Sequence, residues 1–275
     1  EAFGGARHDV ICPATDEVIA TIAWAGAADA EAALVAADQG FGCWSKTPIK
    51  QRVEVMHRLR GLVIRDQDKL REAVMFEHGK TWEQAEEDVV SLINALGYYA
   101  EEIMRMRGEI LPDAEGTHEH KLIYQPLGVV VAYLAWNFPL LNLAFKLGPS
   151  LAAGCAIIIK PSSETPISAL MVGELCAEAG VPAGVVNILA GPNDPVASIL
   201  SGSKIPRLLT LIGSTGTGQR IMQQGSSSIK RYSMELGGNA PALVFADADL
   251  DRAAFLTALL KFSNTGQICV TPNRV

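Results

Sequence analysis

GVVVAYLAW (128–136), NLAFKLGPSLAAG (142–154) and CAIIIKPS (155–162) decide the fold. The first and third are short apolar runs rich in valine and isoleucine, without polar alternation, as strands covered on both faces require. Between them apolar residues recur at helical spacing and stop at a glycine. A buried strand, a crossover helix and a second buried strand make a parallel pair. The rhythm continues through ISALMVGELCAEAG (167–180), read as a helix, then VVNILAG (185–191) and RLLTLIGS (207–214), read as strands. This alternation predicts an α/β fold, a Rossmann-like open parallel sheet with helices on both faces that serves as a nucleotide-binding core.

Toward the N-terminus, residues 8 to 24 hold short β-prone pieces, and Thr47 with Pro48 reads as an N-cap and first helical residue. Val53, Met56, Leu59 and Val63 then recur at three- and four-residue steps, as do Ala85, Val89, Leu92 and Leu96 after Thr81, so the first hundred residues are expected to be mostly helical. Residues 108 to 126 are polar and turn-rich, with Pro112 and Gly116 as punctuation, and read as an exposed hairpin arm. Beyond the core, PALVF (241–245) suggests a further strand, and ADADLDRAAFLTALLKF (246–262) a helix starting at an aspartate cap.

Composition narrows the partners. The chain has 275 residues, 49% hydrophobic and 19% charged, with 30 acidic against 23 basic residues and a net charge of −7. With no basic block, neither nucleic acid nor an anionic membrane is an expected partner, and a small molecule is. The first residues lack the basic and apolar regions of a signal peptide, and no apolar run approaches the roughly 18 residues of a membrane span, so a cytoplasmic location is expected. Five scattered cysteines without CxxC spacing argue for reduced thiols rather than disulfides or zinc. His118 and His120 form an H-x-H pair on the arm without a third ligand, so no metal is expected.

Several residues have chemistry to offer. Glu235 in MELGGNAP and Cys269 in NTGQICVTPNR lie 34 positions apart; a carboxylate base and a soft nucleophile suffice to make a thioester and hydrolyse it. Glu235 is expected to be partly buried where the glycines allow close backbone approach, and a structural salt bridge is the alternative. Cys269 read alone is equally a small buried hydrophobe. Asn137 in AWNFP can donate to a developing oxyanion or simply cap the next helix. Lys160, at a strand end before PSSETP, is either a ligand-binding cation at the sheet's carboxyl edge or a surface lysine. The run Gly213 to Gly218 has the spacing G-x-x-G-x-G rather than the dinucleotide fingerprint, and suits either a phosphate or a plain strand-to-helix turn.

In their order these motifs are more specific. AWNFP, KLGPSLAAG, IIIKPSSETP, LIGSTGTG, MELGGNAP and NTGQICVTPNR together resemble the aldehyde dehydrogenase superfamily along essentially the whole chain. LGGNAP and K-F-x-N-x-G-Q-x-C-V-x-x-N-R are most similar to the succinate-semialdehyde dehydrogenase branch. The resemblance implies that Cys269 is the nucleophile, Glu235 the general base, Asn137 an oxyanion donor and Lys146 an aid to proton movement. It implies that Trp136 and Lys160 contact the adenosine side of the cofactor, Gly191 flanks the adenine, Gly213 and Ser214 meet the pyrophosphate, and the Leu236 backbone faces the nicotinamide amide. A dinucleotide-binding domain over residues 1–238, with an oligomerisation arm at about 110–126, and the truncated start of a catalytic domain over 239–275 follow from the same likeness.

The cofactor so implied is NADP or NAD, the substrate a small-molecule aldehyde, and the full-length assembly a homo-oligomer. One departure bears on the cofactor. NAD-preferring relatives carry a glutamate three residues after the lysine, whereas this chain has Ser163 there, with Glu164 one step later. A carboxylate repels a 2′-phosphate and a serine hydroxyl beside Lys160 can bind one, so NADP is expected to be accepted. The likeness covers little more than half of a typical family member, which leaves a second expectation open, a catalytically incompetent fragment acting only as a nucleotide-binding module.

Overall fold

The computed structural model describes residues 2–275. An antiparallel pair, β1 (Arg7–Ile11) and β2 (Val18–Ala23), precedes four helices, α1 (Ala27–Trp44), α2 (Ile49–Arg65), α3 (Gln67–His78) and α4 (Trp82–Arg105). An arm follows, β3 (Glu109–Leu111) paired antiparallel with β4 (His120–Leu122), every strand residue exposed. The core then runs β5 (Val129–Tyr133), α5 (Pro139–Ala153), β6 (Ala156–Lys160), α6 (Ile167–Glu178), β7 (Val186–Ile188), α7 (Ser198–Gly202), β8 (Pro206–Ile212), α8 (Thr215–Gly225) and β9 (Arg231–Glu235), and α9 (Leu250–Phe262) lies beyond it.

The five core strands form one parallel sheet in the order β7-β6-β5-β8-β9. Alternate side chains of the unbroken apolar strands feed two separate cores. Val130, Ala132, Ile157 and Ile159 join α2, α4, α5 and α6 on one face. Val129, Val131, Tyr133, Ala156 and Ile158 join α1 and α7 on the other. That is why neither β5 nor β6 shows polar alternation: both faces are covered. Helices α2, α3 and α4 pack on the first of these faces and α1 on the second, and Trp44, at the end of α1, donates from Nε1 to the Leu151 carbonyl at 2.9 Å.

Strand order reverses at β5, which has β6 on one side and β8 on the other. Loops leaving β5 and β8 therefore diverge and open a crevice at the strands' carboxyl ends, the place where open α/β sheets bind ligands.

Two expectations need correction. Thr47 is not an N-cap: its Oγ1 donates back to the Cys43 carbonyl at 3.2 Å, and α2 begins at Ile49 with no side-chain cap. Residues 241–245 do not form a strand either. Among the described residues they have one bridge, Pro241 to Arg274, and with no further partner Leu243 and Phe245 stay exposed. The aspartate cap of α9 is present, Asp249 accepting from the Arg252 amide at 3.0 Å. Among the described residues no helix is long and apolar enough to cross a membrane.

Candidate active site

A cavity of about 890 Å³ occupies the crevice. The turn after β5 supplies Trp136 and Asn137, that after β6 supplies Lys160 and Ser163, that after β8 supplies Gly213 and Ser214, and the end of β9 supplies Glu235 and Leu236; Cys269 comes from the loop after α9. Sheet topology thus brings Trp136 and Leu236 to one crevice, and the loop after α9 adds Cys269.

Asn137 is held through its carbonyl and both polar atoms of its side chain. Its carbonyl accepts from Lys80 Nζ at 3.1 Å and from Asn264 Nδ2 at 2.8 Å. Its Oδ1 accepts from Asn142 Nδ2 at 3.2 Å, which fixes the amide so that Nδ2 points at the Gln267 carbonyl, 3.0 Å away. The half-exposed Trp136 donates from Nε1 to Gln267 Oε1 at 2.7 Å. Gln267 is therefore clasped by two consecutive residues of the β5 turn, and Cys269 follows two positions later. The loop reaches this place through Asn264 (φ 48°) and Thr265 (φ 55°), both left-handed. Threonine is β-branched and rarely adopts that region, so the loop stores strain close to Cys269.

On the sheet side, the Gly213 amide donates to the Glu235 carbonyl at 3.0 Å, locking β8 to β9 at the cavity edge. Ser214 caps α8 by accepting from the Thr217 amide at 3.2 Å, and leaves the other first-turn N–H groups of the helix to serve an anion. Lys160 is 5% exposed, and burial pushes it down to about 8, with no carboxylate to offset the cost. An unpaired buried cation beside a helix N-terminus in an open crevice fits a phosphate-bearing dinucleotide. Ser163 donates to Glu164 Oε1 at 3.1 Å, so the carboxylate that follows it already has a partner in its neighbour's hydroxyl.

Glu235 and Cys269 are both exposed, against the expectation of burial for the first. The glycines after Glu235 are not crowded: a Cβ at Gly237 would meet nothing, and one at Gly238 only the Cys269 carbonyl at 3.8 Å. Two expected site residues do not line the cavity. Lys146 lies on α5, mostly buried; burial lowers its pKa and the Glu235 charge partly restores it. Gly191 is required by packing, since a Cβ there would come within 2.9 Å of the Ala25 carbonyl.

Sequence reading passed over Lys80, Asp88, Asn264, Gln267 and Arg220. Asn264 and Gln267 stand inside a motif that was singled out for its cysteine. Asp88 carried a signal of its own, an acid between Ala85 and Val89 on the apolar stripe of α4. Arg220, one of the cavity's cations, had no local mark.

The aldehyde dehydrogenase family model matches residues 3–275. Glutarate-semialdehyde dehydrogenase of Pseudomonas putida is 38% identical over 275 residues, which are 100% of this chain and 57% of that protein. The NADP(+) succinate-semialdehyde dehydrogenase of Escherichia coli K12 is likewise 38% identical, with the same 100% and 57% shares. A crystal structure of an Escherichia coli NADP-dependent enzyme superposes with a TM-score of 0.96 at 38% identity, covering 100% of this chain and 57% of the other. The chain spans little more than half the length of these relatives.

Proposed function

Because the chain belongs to the aldehyde dehydrogenase family, we propose that this protein oxidises an aldehyde, of the semialdehyde class that its relatives' names indicate, to a carboxylate with NADP or NAD. The observation that carries this reading is the single cavity lined by Cys269, Glu235, Asn137 and Lys160 together.

The Cys269 thiolate attacks the aldehyde carbon, forming a C–S bond and a thiohemiacetal oxyanion. Asn137 Nδ2, with one N–H on the Gln267 carbonyl, gives its second N–H to that oxyanion, a donor worth about 3 kcal/mol in the transition state. The Leu236 backbone at the cavity wall would hold the nicotinamide, which when bound would supply the acceptor for the hydride from the same carbon. Glu235, exposed to solvent, takes a proton from the water that hydrolyses the resulting thioester, contributing roughly 10² to 10⁴ in rate. Lys160, Ser163 and the α8 N-terminus hold the phosphates, and Ser163 in place of a carboxylate favours acceptance of a 2′-phosphate.

Cys269→Ala is the test: aldehyde oxidation disappears while nucleotide affinity stays, and turnover that survives the substitution would refute the assignment. One observation favours a second reading, a nucleotide-binding module without turnover. Helix α9, which leads to the cysteine loop, has no buried residue, with Phe255 and Phe262 65% and 75% exposed. Nucleotide binding without any aldehyde oxidation by the unsubstituted chain is its signature.

A further inference from the structure

We propose that Lys80 and Asp88 are positioning residues that set Asn137 for catalysis, a role resting on the reading of Asn137 as the oxyanion donor. Both side chains are fully buried, and Lys80 Nζ donates to Asp88 Oδ2 at 2.7 Å. The same ammonium donates to the Asn137 carbonyl at 3.1 Å and sits 4.5 Å from the centre of the Phe138 ring. The other carboxylate oxygen, Asp88 Oδ1, accepts from the amides of Leu140 and Leu141 at 3.0 and 3.1 Å.

These contacts have a common target. Helix α5 starts at Pro139 without a side-chain cap of its own, and Asp88 supplies that cap from α4. One buried pair therefore grips Asn137, Phe138, Leu140 and Leu141, the turn that carries the amide and the helix that extends it. Neither residue lines the cavity, so neither contacts ligand. Stability alone does not account for the pair. Removing two charges from water is costly, and apolar replacements of similar volume are often neutral or stabilising. What an apolar pair cannot supply is a donor to the Asn137 carbonyl and an acceptor for the α5 amides. The strained loop depends on the same point, because Asn264 Nδ2 shares the Asn137 carbonyl with Lys80.

The test is the double variant Lys80→Met, Asp88→Asn in the full chain. It is neutral, keeps an oxygen for the α5 amides and removes only the tether on Asn137. The expected result is a fall in kcat of roughly 10- to 100-fold, with aldehyde KM, nucleotide Kd and melting temperature nearly unchanged. Asn137→Ala alone lowers kcat by about 10² to 10³, and adding the double variant to it costs less than the double variant does alone, since part of the tether's effect acts through that side-chain amide. Multiplying losses in the combined variant, or a loss confined to stability or KM, would overturn the proposal. Hydrogen exchange decides the tether independently of turnover. In the double variant the amides of 135–142 and 264–269 exchange roughly tenfold faster while the rest of the chain is unchanged, and unaltered exchange there overturns the proposal. Full activity in Asn137→Ala refutes the oxyanion reading instead, and leaves the tether to be judged by exchange.

Discussion

Lys160→Met should make the protein more stable and a poorer nucleotide binder at once. Burial alone moves Lys160 from 10.5 to about 8, which corresponds to a penalty of about 3 kcal/mol on the charged form in the folded chain. The folded state holds this proton less tightly than the unfolded state, so the penalty is fully present below about pH 8 and is relieved as pH rises toward 10.5. Methionine keeps the aliphatic stem and its packing while removing the charge. Near pH 7 the variant therefore gains up to about 3 kcal/mol, and for a chain of 275 residues with a melting entropy of about 2.1 cal/mol/K per residue this is about 5 °C in Tm. Thermal melts of both proteins without nucleotide, at about pH 7 and about pH 9.5, measure it, and the gap should narrow at the higher pH. Adding NADP reverses the order of benefit, because its phosphate gives Lys160 the counter-charge it lacks, and the unsubstituted protein gains more Tm than the variant. A variant no more stable near neutrality, or one whose advantage grows with pH, would refute the reasoning.

Other outcomes follow from the same geometry. Ser163→Glu places a carboxylate three residues from Lys160 and should shift the NAD to NADP affinity ratio toward NAD by roughly tenfold or more; fluorescence titrations with both nucleotides check it, and an unchanged ratio counts against a 2′-phosphate site at Ser163. Glu235→Gln should give one equivalent of reduced cofactor in a stopped-flow burst and then stall, since thioester formation does not need this base and hydrolysis does; unchanged steady-state turnover would remove Glu235 from its role. Glu77, fully buried beneath α6, accepts from the Ile167 amide at 2.6 Å, yet burial outweighs its hydrogen bonds, and the nearby Asp88 charge adds to the effect, lifting it to about 7. The folded chain holds that proton more tightly than the unfolded one, so this contribution is present below about 4.5 and lost as pH rises through 7. Urea unfolding should show Glu77→Gln gaining on the unsubstituted protein between about pH 5 and pH 8, by up to about 3 kcal/mol; a constant gap would contradict the burial argument.

The sheet was legible because β5 and β6 are buried on both faces, and nothing but a covered parallel strand reads VVVAY or AIIIK without a polar break. The candidate site was legible where a side chain stands at or just past a strand's carboxyl end, as with Asn137, Lys160, Ser214 and Glu235, since strand ends and ligand crevice coincide in this topology. Thr47 was misread because its hydroxyl had two helix ends to choose from, and local sequence does not say that α1 wins. Residues 241–245 have strand composition, but a strand exists only by pairing, and the described chain offers them one bridge at Arg274. Lys80 escaped for a related reason, because a lysine after a helix-ending glycine (Gly79, φ 80°) looks like surface until α4 and α5 close over it.

The arrangement separates rigidity from reach. Asn137 lies a short turn past β5 and Lys160 is the last residue of β6, both strands buried throughout, and a buried ion pair holds the first of them. Cys269 and Glu235 are exposed, and the cysteine loop contacts the sheet mainly through the Gln267 and Asn264 bonds to the β5 turn. Those bonds make the β5 turn the shared reference for the Asn137 amide and Cys269, so a displacement of that turn moves both together and preserves their spacing. Breaking the Gln267 clasp alone, by contrast, would let Cys269 drift relative to an Asn137 amide that stays fixed. The distance between the Cys269 sulfur and the Asn137 amide is therefore governed by a few hydrogen bonds at one turn rather than by the packing of α9, whose every residue is at least partly exposed.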